Sequence, residues 1–129
     1  MHTTIFFPYL CTTLIINPMI AENAQSQMRK GVLEFCILSL LSNGDMYASD
    51  IIQELKKAQL IVVEGTLYPL LTRQKNAGLL CYRWEESTQG PPRKYYSLTS
   101  EGQMYLESLR TAWNEIVITV EQITKIKPH

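Results

Sequence analysis

The chain has 129 residues, of which 46% are hydrophobic and 19% charged, a composition typical of one globular domain and not of a disordered chain. Its formal net charge is zero and its sequence pI is about 6.7, which excludes a uniformly basic nucleic-acid-binding protein. Any contact with an anionic partner must therefore depend on where the charges lie.

The residue types that bind metals or carry out catalysis are few and scattered. Cys11, Cys36 and Cys81 are far apart and form no CxxC pair, so neither a zinc site nor a disulfide framework is indicated, and free thiols fit a reducing cytoplasm. His2 and His129 lie at the two chain ends, which leaves no histidine for a catalytic triad or a metal site. We therefore expect no metal, no cofactor and no enzymatic activity.

Residues 1–27 form an apolar N-terminal extension whose only charged residue is Glu22. Two prolines interrupt it, and it is too short for a transmembrane helix, which needs about 20 apolar residues. It also lacks the basic start and the cleavage site of a signal peptide. Three alternatives stay open: a partly disordered or loosely docked extension, a membrane tether at residues 5–16, and a natural start at Met19 or Met28.

Two amphipathic helices are predicted next. Apolar side chains recur at helical spacing through residues 29–42, and Gly44 in the following Asn-Gly-Asp turn suits a left-handed cap. A second apolar stripe of the same period predicts a helix over residues 47–57.

A third helix is predicted over residues 64–77, where three leucines form the buried stripe. One turn further, the stripe reaches Gln74, which must either find hydrogen bonds or mark a point where the helix turns outward. Pro69 lies inside the helix and predicts a distorted first turn, because its ring clashes with the carbonyl four residues earlier.

A two-stranded ribbon follows, formed by residues 79–85 and 93–98 with alternating side chains and a proline-containing link. Arg93 and Lys94 place positive charge where the second strand begins. Over residues 66–99, the third helix with its polar outer face is thus followed by a hairpin that carries positive charge. This arrangement indicates a unit that reads DNA.

The last helix is capped by Thr99 or Ser100 and carries a seam of apolar residues in alternating steps of three and four. The small domain before it offers little surface to cover such a seam, so we expect the seam to meet a second copy of the chain. Packing along its own domain is the alternative. The seam consists of Leu106, Leu109, Trp113, Ile116, Val120 and Ile123.

Three helices, a two-stranded wing and a long last helix follow one another in the order of a winged helix-turn-helix with a dimerisation helix. Three motifs sharpen the match: Glu-Gly-Thr-Leu-Tyr-Pro-Leu-Leu at residues 64–71, Gly-Leu-Leu at 78–80, and Pro-Arg-Lys-Tyr-Tyr-Ser-Leu-Thr at 92–99. Their combination resembles the PadR family of transcriptional regulators, and Met-Arg-Lys-Gly at residues 28–31 is similar to the first helix of that family.

The resemblance implies a mainly α fold with a small β hairpin, in which a winged helix-turn-helix domain at residues 28–99 precedes a long C-terminal dimerisation helix at residues 100–129. It also implies a cytoplasmic homodimer that binds double-stranded operator DNA, usually as a ligand-responsive repressor. The third helix would lie in the major groove and the wing would reach phosphates or the minor groove. The DNA contacts assigned in this way are Thr66, Tyr68, Thr72, Arg73, Lys75, Arg93 and Lys94.

An effector site is one further implication of the resemblance. In multidrug-sensing relatives a tryptophan on the last helix stacks on aromatic ligands, and Trp113 matches that position. Trp113 and Tyr105 are thus candidates for binding a small aromatic effector, while core packing is the other interpretation of Trp113. The neutral net charge leaves a different function open, namely a winged-helix module that binds protein without binding DNA.

Overall fold

The computed structural model describes residues 18–126. Predictions that fall on residues 1–17, including the membrane tether, and on residues 127–129 lie outside this range. The described elements are, in chain order, α1 (Pro18–Ser42), β1 (Met46–Tyr47), α2 (Ala48–Lys57), α3 (Glu64–Asn76), β2 (Leu80–Glu85), β3 (Arg93–Leu98) and α4 (Ser100–Thr124).

The first helix is longer than the sequence predicted. It begins at Pro18 and not near residue 29, because proline is favourable in a first helical turn and the alanine- and glutamine-containing segment after it propagates a helix well. Internal contacts divide the chain into Met1–Gly31 and Val32–His129, and the fold described below belongs to the second unit. No helix found within residues 18–126 has the length and hydropathy to cross a bilayer.

The core of the second unit is built from one apolar face of each helix and one residue from each of the two longer strands. Residues three or four positions apart share a helix face, so the periodic apolar positions converge on a single cluster. Its buried members are Leu33, Ile37, Leu38, Leu41, Ala48, Ile51, Leu55, Leu67, Leu71, Leu80, Tyr96 and Leu106.

Gln74 is the polar member of this interior, with 1% of its surface exposed. Its Nε2 donates a long hydrogen bond of 3.5 Å to the carbonyl oxygen of Glu34, and its Oε1 has no partner in the described part of the chain. The helix therefore does not turn outward at this position. The amide is only half satisfied, which costs free energy because a buried polar atom has lost its water.

A three-stranded antiparallel sheet in the order β1–β3–β2 confirms the predicted ribbon and adds one strand. β3 pairs with β2 along its whole length, while β1 pairs Met46 with Tyr96 and Tyr47 with Tyr95. The prediction missed β1, and placed Tyr47 in the helix instead, because two residues are too few to show a strand period. β1 joins the ribbon to the start of α2.

The start of α4 is fixed by Thr99 and Gly102. Of the two predicted caps, Thr99 is the one used: its Oγ1 accepts a hydrogen bond of 3.0 Å from the Gly102 amide and donates to the Gly78 carbonyl. Gly102 is buried, and a Cβ built on it would collide with the carbonyl oxygen of Leu79. The helix therefore approaches the backbone before β2 more closely than any other residue would allow.

We expect Gly102→Ala to lower the free energy of unfolding by about 1–3 kcal/mol, because the backbone at Leu79 must shift to admit the methyl group. Gly31→Ala is the matched control: it is also helical, and a Cβ there meets nothing within 4 Å. That control should gain up to about 1 kcal/mol from helix propensity. Denaturant unfolding compares the two, and a Gly102→Ala variant as stable as Gly31→Ala would contradict the packing argument.

Candidate nucleic-acid interface

The outer face of α3 presents five of the seven side chains that the family resemblance assigned to DNA. Leu67 and Leu71 turn the opposite face into the core, and Val63 precedes the helix without a side-chain cap. The exposed residues on the outer face are Thr66, Tyr68, Thr72, Arg73 and Lys75.

A groove of about 350 Å³ lies between α3, the N-terminus of α2 and the wing, which is the ribbon of β2 and β3. Glu64 is the carboxylate among its described lining residues, whereas Arg93 and Lys94 bring two cations. The groove thus joins the outer face of α3 and the wing in one surface. Its polar and aromatic lining consists of Tyr47, Ser49, Glu64, Tyr68, Trp84, Arg93, Lys94 and Tyr96.

Arg93 is held by aromatic stacking. Its Cζ lies 3.9 Å from the ring centroid of Tyr47, and its Nη1 makes a long contact of 3.5 Å with Ser49 Oγ. The Tyr47 ring lies 4.6 Å from that of Tyr95, whose other neighbour is the guanidinium of Arg83 at 4.5 Å. A guanidinium that stacks by its face keeps its in-plane N–H donors available for an anion.

Arg83, at the other end of this stack, is neutralised by two carboxylates. Its Nη1 lies 2.9 Å from Asp45 Oδ2 and its Nε lies 2.8 Å from Glu85 Oε1. The hydrogen bond from Arg83 lowers the pKa of Asp45 below its ordinary value. Arg83 therefore connects the turn before β1 to β2 and contributes little positive charge to the surface.

Lys75 of α3 and Lys94 of β3 approach the same aromatic ring. Their Nζ atoms lie 5.8 Å and 4.5 Å from the ring centroid of Tyr82, and Lys94 Nζ is also 5.5 Å from that of Trp84. Within residues 18–126, neither these lysines nor Arg93 forms an ion pair with a carboxylate. Three cations with uncompensated charge are thus placed between the third helix and the wing.

Arg73 has a different environment from these three cations. Its Nη2 lies 3.3 Å from Glu34 Oε2, which ties α3 to α1. A solvent-accessible ion pair of this kind is worth about 0–1 kcal/mol, so it orients Arg73 without preventing the guanidinium from taking another acceptor.

The predicted seam on α4 divides into a buried part and an exposed part. Leu106 is fully buried in the core of its own chain, and Leu109 packs against that core. Beyond them the seam residues are 40 to 64% exposed: Trp113, Ile116, Val120 and Ile123.

Trp113 and Tyr105, the two residues predicted for an effector, are both partly exposed on α4. The Trp113 ring centroid lies 6.3 Å from that of Phe35 on α1. Tyr105 lies eight positions earlier, roughly 12 Å along the helix axis, so α4 itself does not bring the two rings together.

Within residues 18–126, Cys36 and Cys81 are free cysteines, and Cys81 is exposed. Over residues 18–126 no three histidine, cysteine, aspartate or glutamate side chains are grouped so that they could hold a metal ion. Cys36 is half-buried, and burial raises the pKa of its thiol, which makes the thiol less reactive.

Sequence reasoning missed the aromatic partners of the wing cations, namely Tyr47, Tyr82 and Trp84. The available signal was the interleaving of basic and aromatic residues in the two wing strands, Cys-Tyr-Arg-Trp and Arg-Lys-Tyr-Tyr. It did not identify the partners, because Tyr47 reaches the wing through β1, a strand of two residues.

Three helices leading into an antiparallel wing, with a long helix behind it, define the class of winged-helix DNA-binding regulators. Comparison with known families makes this specific, because residues 37–108 match the transcriptional regulator PadR-like family over more than half of the chain. The chain belongs to this family and is a DNA-binding transcriptional regulator.

Solved structures and a curated relative support the assignment. A PadR-like transcription factor from Bacteroides fragilis is 63% identical, with 78% of this chain and 98% of that chain covered and a TM-score of 0.67. A PadR-like regulator from Bacillus cereus is 36% identical, with 78% and 99% covered and a TM-score of 0.70. An uncharacterized protein from Lysinibacillus sphaericus is 30% identical over 95 residues, which are 71% of this chain and 87% of the relative.

We expect Tyr47→Leu to lower the free energy of unfolding by about 1–2 kcal/mol, because it removes both the ring pair with Tyr95 and the stacking surface of Arg93. Tyr47→Phe keeps the ring and should stay close to the original protein. Denaturant unfolding measures both variants. Equal stability of the leucine and phenylalanine variants would show that the stack contributes nothing.

Proposed function

We propose that the protein is a ligand-responsive repressor that binds operator DNA as a homodimer in the cytoplasm. One observation carries the proposal most directly: Lys75, Arg93 and Lys94 keep uncompensated positive charge beside the exposed face of α3, although the chain as a whole is neutral. DNA phosphates are the partner for such a cluster, because neutralising them releases condensed counterions.

The proposed DNA contacts are of two kinds, contacts to the bases and contacts to the phosphate backbone. In this proposal residues 28–99 form the DNA-binding domain, and α3 enters the major groove with Thr66, Tyr68, Thr72 and Arg73 toward the bases. Lys75 at the end of α3, and Arg93 and Lys94 on the wing, bind the backbone and hold the helix in register.

Arg73 is suited to reading a base because its ion pair with Glu34 is exposed and exchangeable. An arginine can donate two hydrogen bonds to the O6 and N7 atoms of guanine, and that pattern distinguishes guanine from the other bases. On the DNA, Arg73 would leave Glu34 and bind a guanine edge instead. It would give up one ion pair and gain two hydrogen bonds to neutral acceptors, at little net electrostatic cost because the ion pair is exposed.

The exposed seam on α4 supports the homodimer. Trp113, Ile116, Val120 and Ile123 repeat with the heptad period of two-stranded coils, and they leave an apolar stripe in water when the chain is alone. In this proposal α4 is the dimerisation helix, and the stripe of a second copy covers its exposed stripe. A two-fold axis there would present two α3 helices to half-sites about 34 Å apart on one face of the DNA.

The neighbours of Trp113 support the ligand response. Phe35, the aromatic neighbour of Trp113, is adjacent on α1 to Glu34, which binds Arg73 on α3. A flat aromatic effector stacked on Trp113 would displace Phe35 and thereby shift the residue that orients Arg73. Tyr105 would be a second aromatic contact for an effector lying along α4.

We expect the double variant Arg93→Ala/Lys94→Ala to bind all DNA sequences more weakly and to reduce the slope of log K against log salt by about 0.9 to 1.8, since Arg93 loses one phosphate contact and Lys94 loses all or part of another. Gel-shift titration at several salt concentrations measures both quantities. Arg110→Ala/Lys125→Ala removes the same charge from α4 and should leave the slope unchanged. Identical affinity and slope in the wing variant would overturn the wing assignment.

Gel shift with the upstream region of its own gene separates this proposal from the module that binds protein. A shift at low salt supports DNA binding, whereas its absence would favour the protein-binding alternative. Chromatin pull-down and sequencing would then identify the operator, and the regulated genes would narrow the chemistry of the effector.

We expect Ile116→Asp/Val120→Asp to convert the dimer into a monomer, because two carboxylates would be buried in the apolar seam. Light scattering on a sizing column measures the molar mass in solution. Asn114→Asp/Gln122→Asp places the same charges on the opposite face of α4 and should leave the dimer intact. A dimer that survives the seam variant would place the interface elsewhere.

A further inference from the structure

A cavity of about 100 Å³ lies between the C-terminal half of α3 and the strands of the wing. Leu71 and Tyr96, both buried, form its apolar floor. Its polar rim carries Thr72, Lys75, Asn76, Tyr82 and Lys94. The cavity is therefore bounded by α3 on one side and the wing on the other.

The charges around this cavity are of one sign. Lys75 and Lys94 approach the Tyr82 ring from different elements, at 5.8 Å and 4.5 Å from its centroid. No carboxylate is found among the described lining residues, and neither lysine has an ion pair within residues 18–126. Two ammonium groups near one ring repel each other, and an anion between them would turn that repulsion into attraction.

The remaining rim atoms suit an oxyanion with several acceptor oxygens. The Thr72 hydroxyl, the Asn76 amide and the Tyr82 phenol can each donate a hydrogen bond, and the two lysines add charged donors. The cavity has roughly the volume of three water molecules, which leaves room for one phosphate group but not for a base.

We propose that this cavity is a clamp for one phosphodiester of the DNA backbone, held jointly by Lys75 and Lys94, with Thr72, Asn76 and Tyr82 as further donors. This inference rests on the proposed DNA binding and makes it more specific. It adds Asn76 and Tyr82 to the interface and turns Thr72 from a base contact into a backbone contact. Because the clamp joins α3 to the wing, a single phosphate would fix the angle between them on the DNA.

The number of phosphates neutralised distinguishes a shared clamp from two independent contacts. Each neutralised phosphate contributes about 0.9 to the slope of log K against log salt. If Lys75 and Lys94 share one phosphate, Lys75→Ala/Lys94→Ala should reduce the slope by about 0.9, and each single variant by less. If they bind separate phosphates, the double variant should lose about 1.8, and that result would overturn the clamp.

Substitutions at the ring provide a second readout. Tyr82→Leu, which removes the surface that holds both lysines, should weaken DNA binding about two- to five-fold, the range of an exposed cation–π contact. In the Lys75→Ala/Lys94→Ala background the same change should weaken binding less, because the two cation–π partners are already gone and only the hydrogen bond of the phenol is lost. An equal loss in both backgrounds would show that Tyr82 acts only through the fold.

Two separate measurements test the proposed DNA binding itself and the source of the bound phosphate. Failure of the unmodified protein to bind any DNA would overturn the proposed function itself, whereas binding with the 1.8 loss would overturn the clamp alone. Inorganic phosphate at constant ionic strength should not displace DNA, since one free anion gains nothing from the neighbouring contacts. Displacement that disappears in Lys75→Ala/Lys94→Ala would mark a site for free phosphate and overturn the backbone assignment.

Discussion

The pairing of the two-residue strand β1 with β3 is the constraint on which the interface depends. A two-stranded hairpin is marginal in water by itself, so the wing needs a connection to the helices. β1 supplies it directly before α2 and places Tyr47 opposite Tyr95. That register lets Arg93 stack on Tyr47, while the ion pair of Arg83 with Asp45 fastens the other strand to the same turn. The position of Arg93 therefore follows from one short backbone pairing.

The manner in which each cation is held explains how a neutral chain can present a positive surface. Two arginines near the interface pair with carboxylates: Arg83 with two that cancel its charge, and Arg73 with one in an exposed, exchangeable pair. Beside the groove, aromatic rings hold Lys75, Arg93 and Lys94 instead. A ring orients a cation through its quadrupole and adds no opposite charge, so the local field survives. The net charge of the whole chain does not reveal such a patch, because acidic residues elsewhere in the chain cancel its positive charge in the sum.

The helix α1 contacts both α3 and α4. Glu34 binds Arg73, its carbonyl accepts from Gln74, and the next residue, Phe35, lies beside Trp113. Gln74 explains part of this arrangement: its amide is buried and only half satisfied, so its single hydrogen bond to α1 matters for the position of α3. Two adjacent residues of α1, Glu34 and Phe35, thus contact α3 and α4 respectively.

The sequence by itself determined the elements whose signals are local. Helical and strand periods located α2, α3, β2, β3 and α4 to within a residue or two at most ends, and the capping signal narrowed the start of α4 to Thr99 or Ser100 because capping involves residues only three apart. Tertiary structure decided the rest. It created β1, buried Gln74, and separated Leu106 in the core from the exposed seam beyond it. The tertiary structure also determined which carboxylate or aromatic ring each cation near the groove contacts. Those partners are remote in sequence, as Arg73 and Glu34 are at 39 residues apart, and no local pattern encodes which of several carboxylates or rings a side chain will meet.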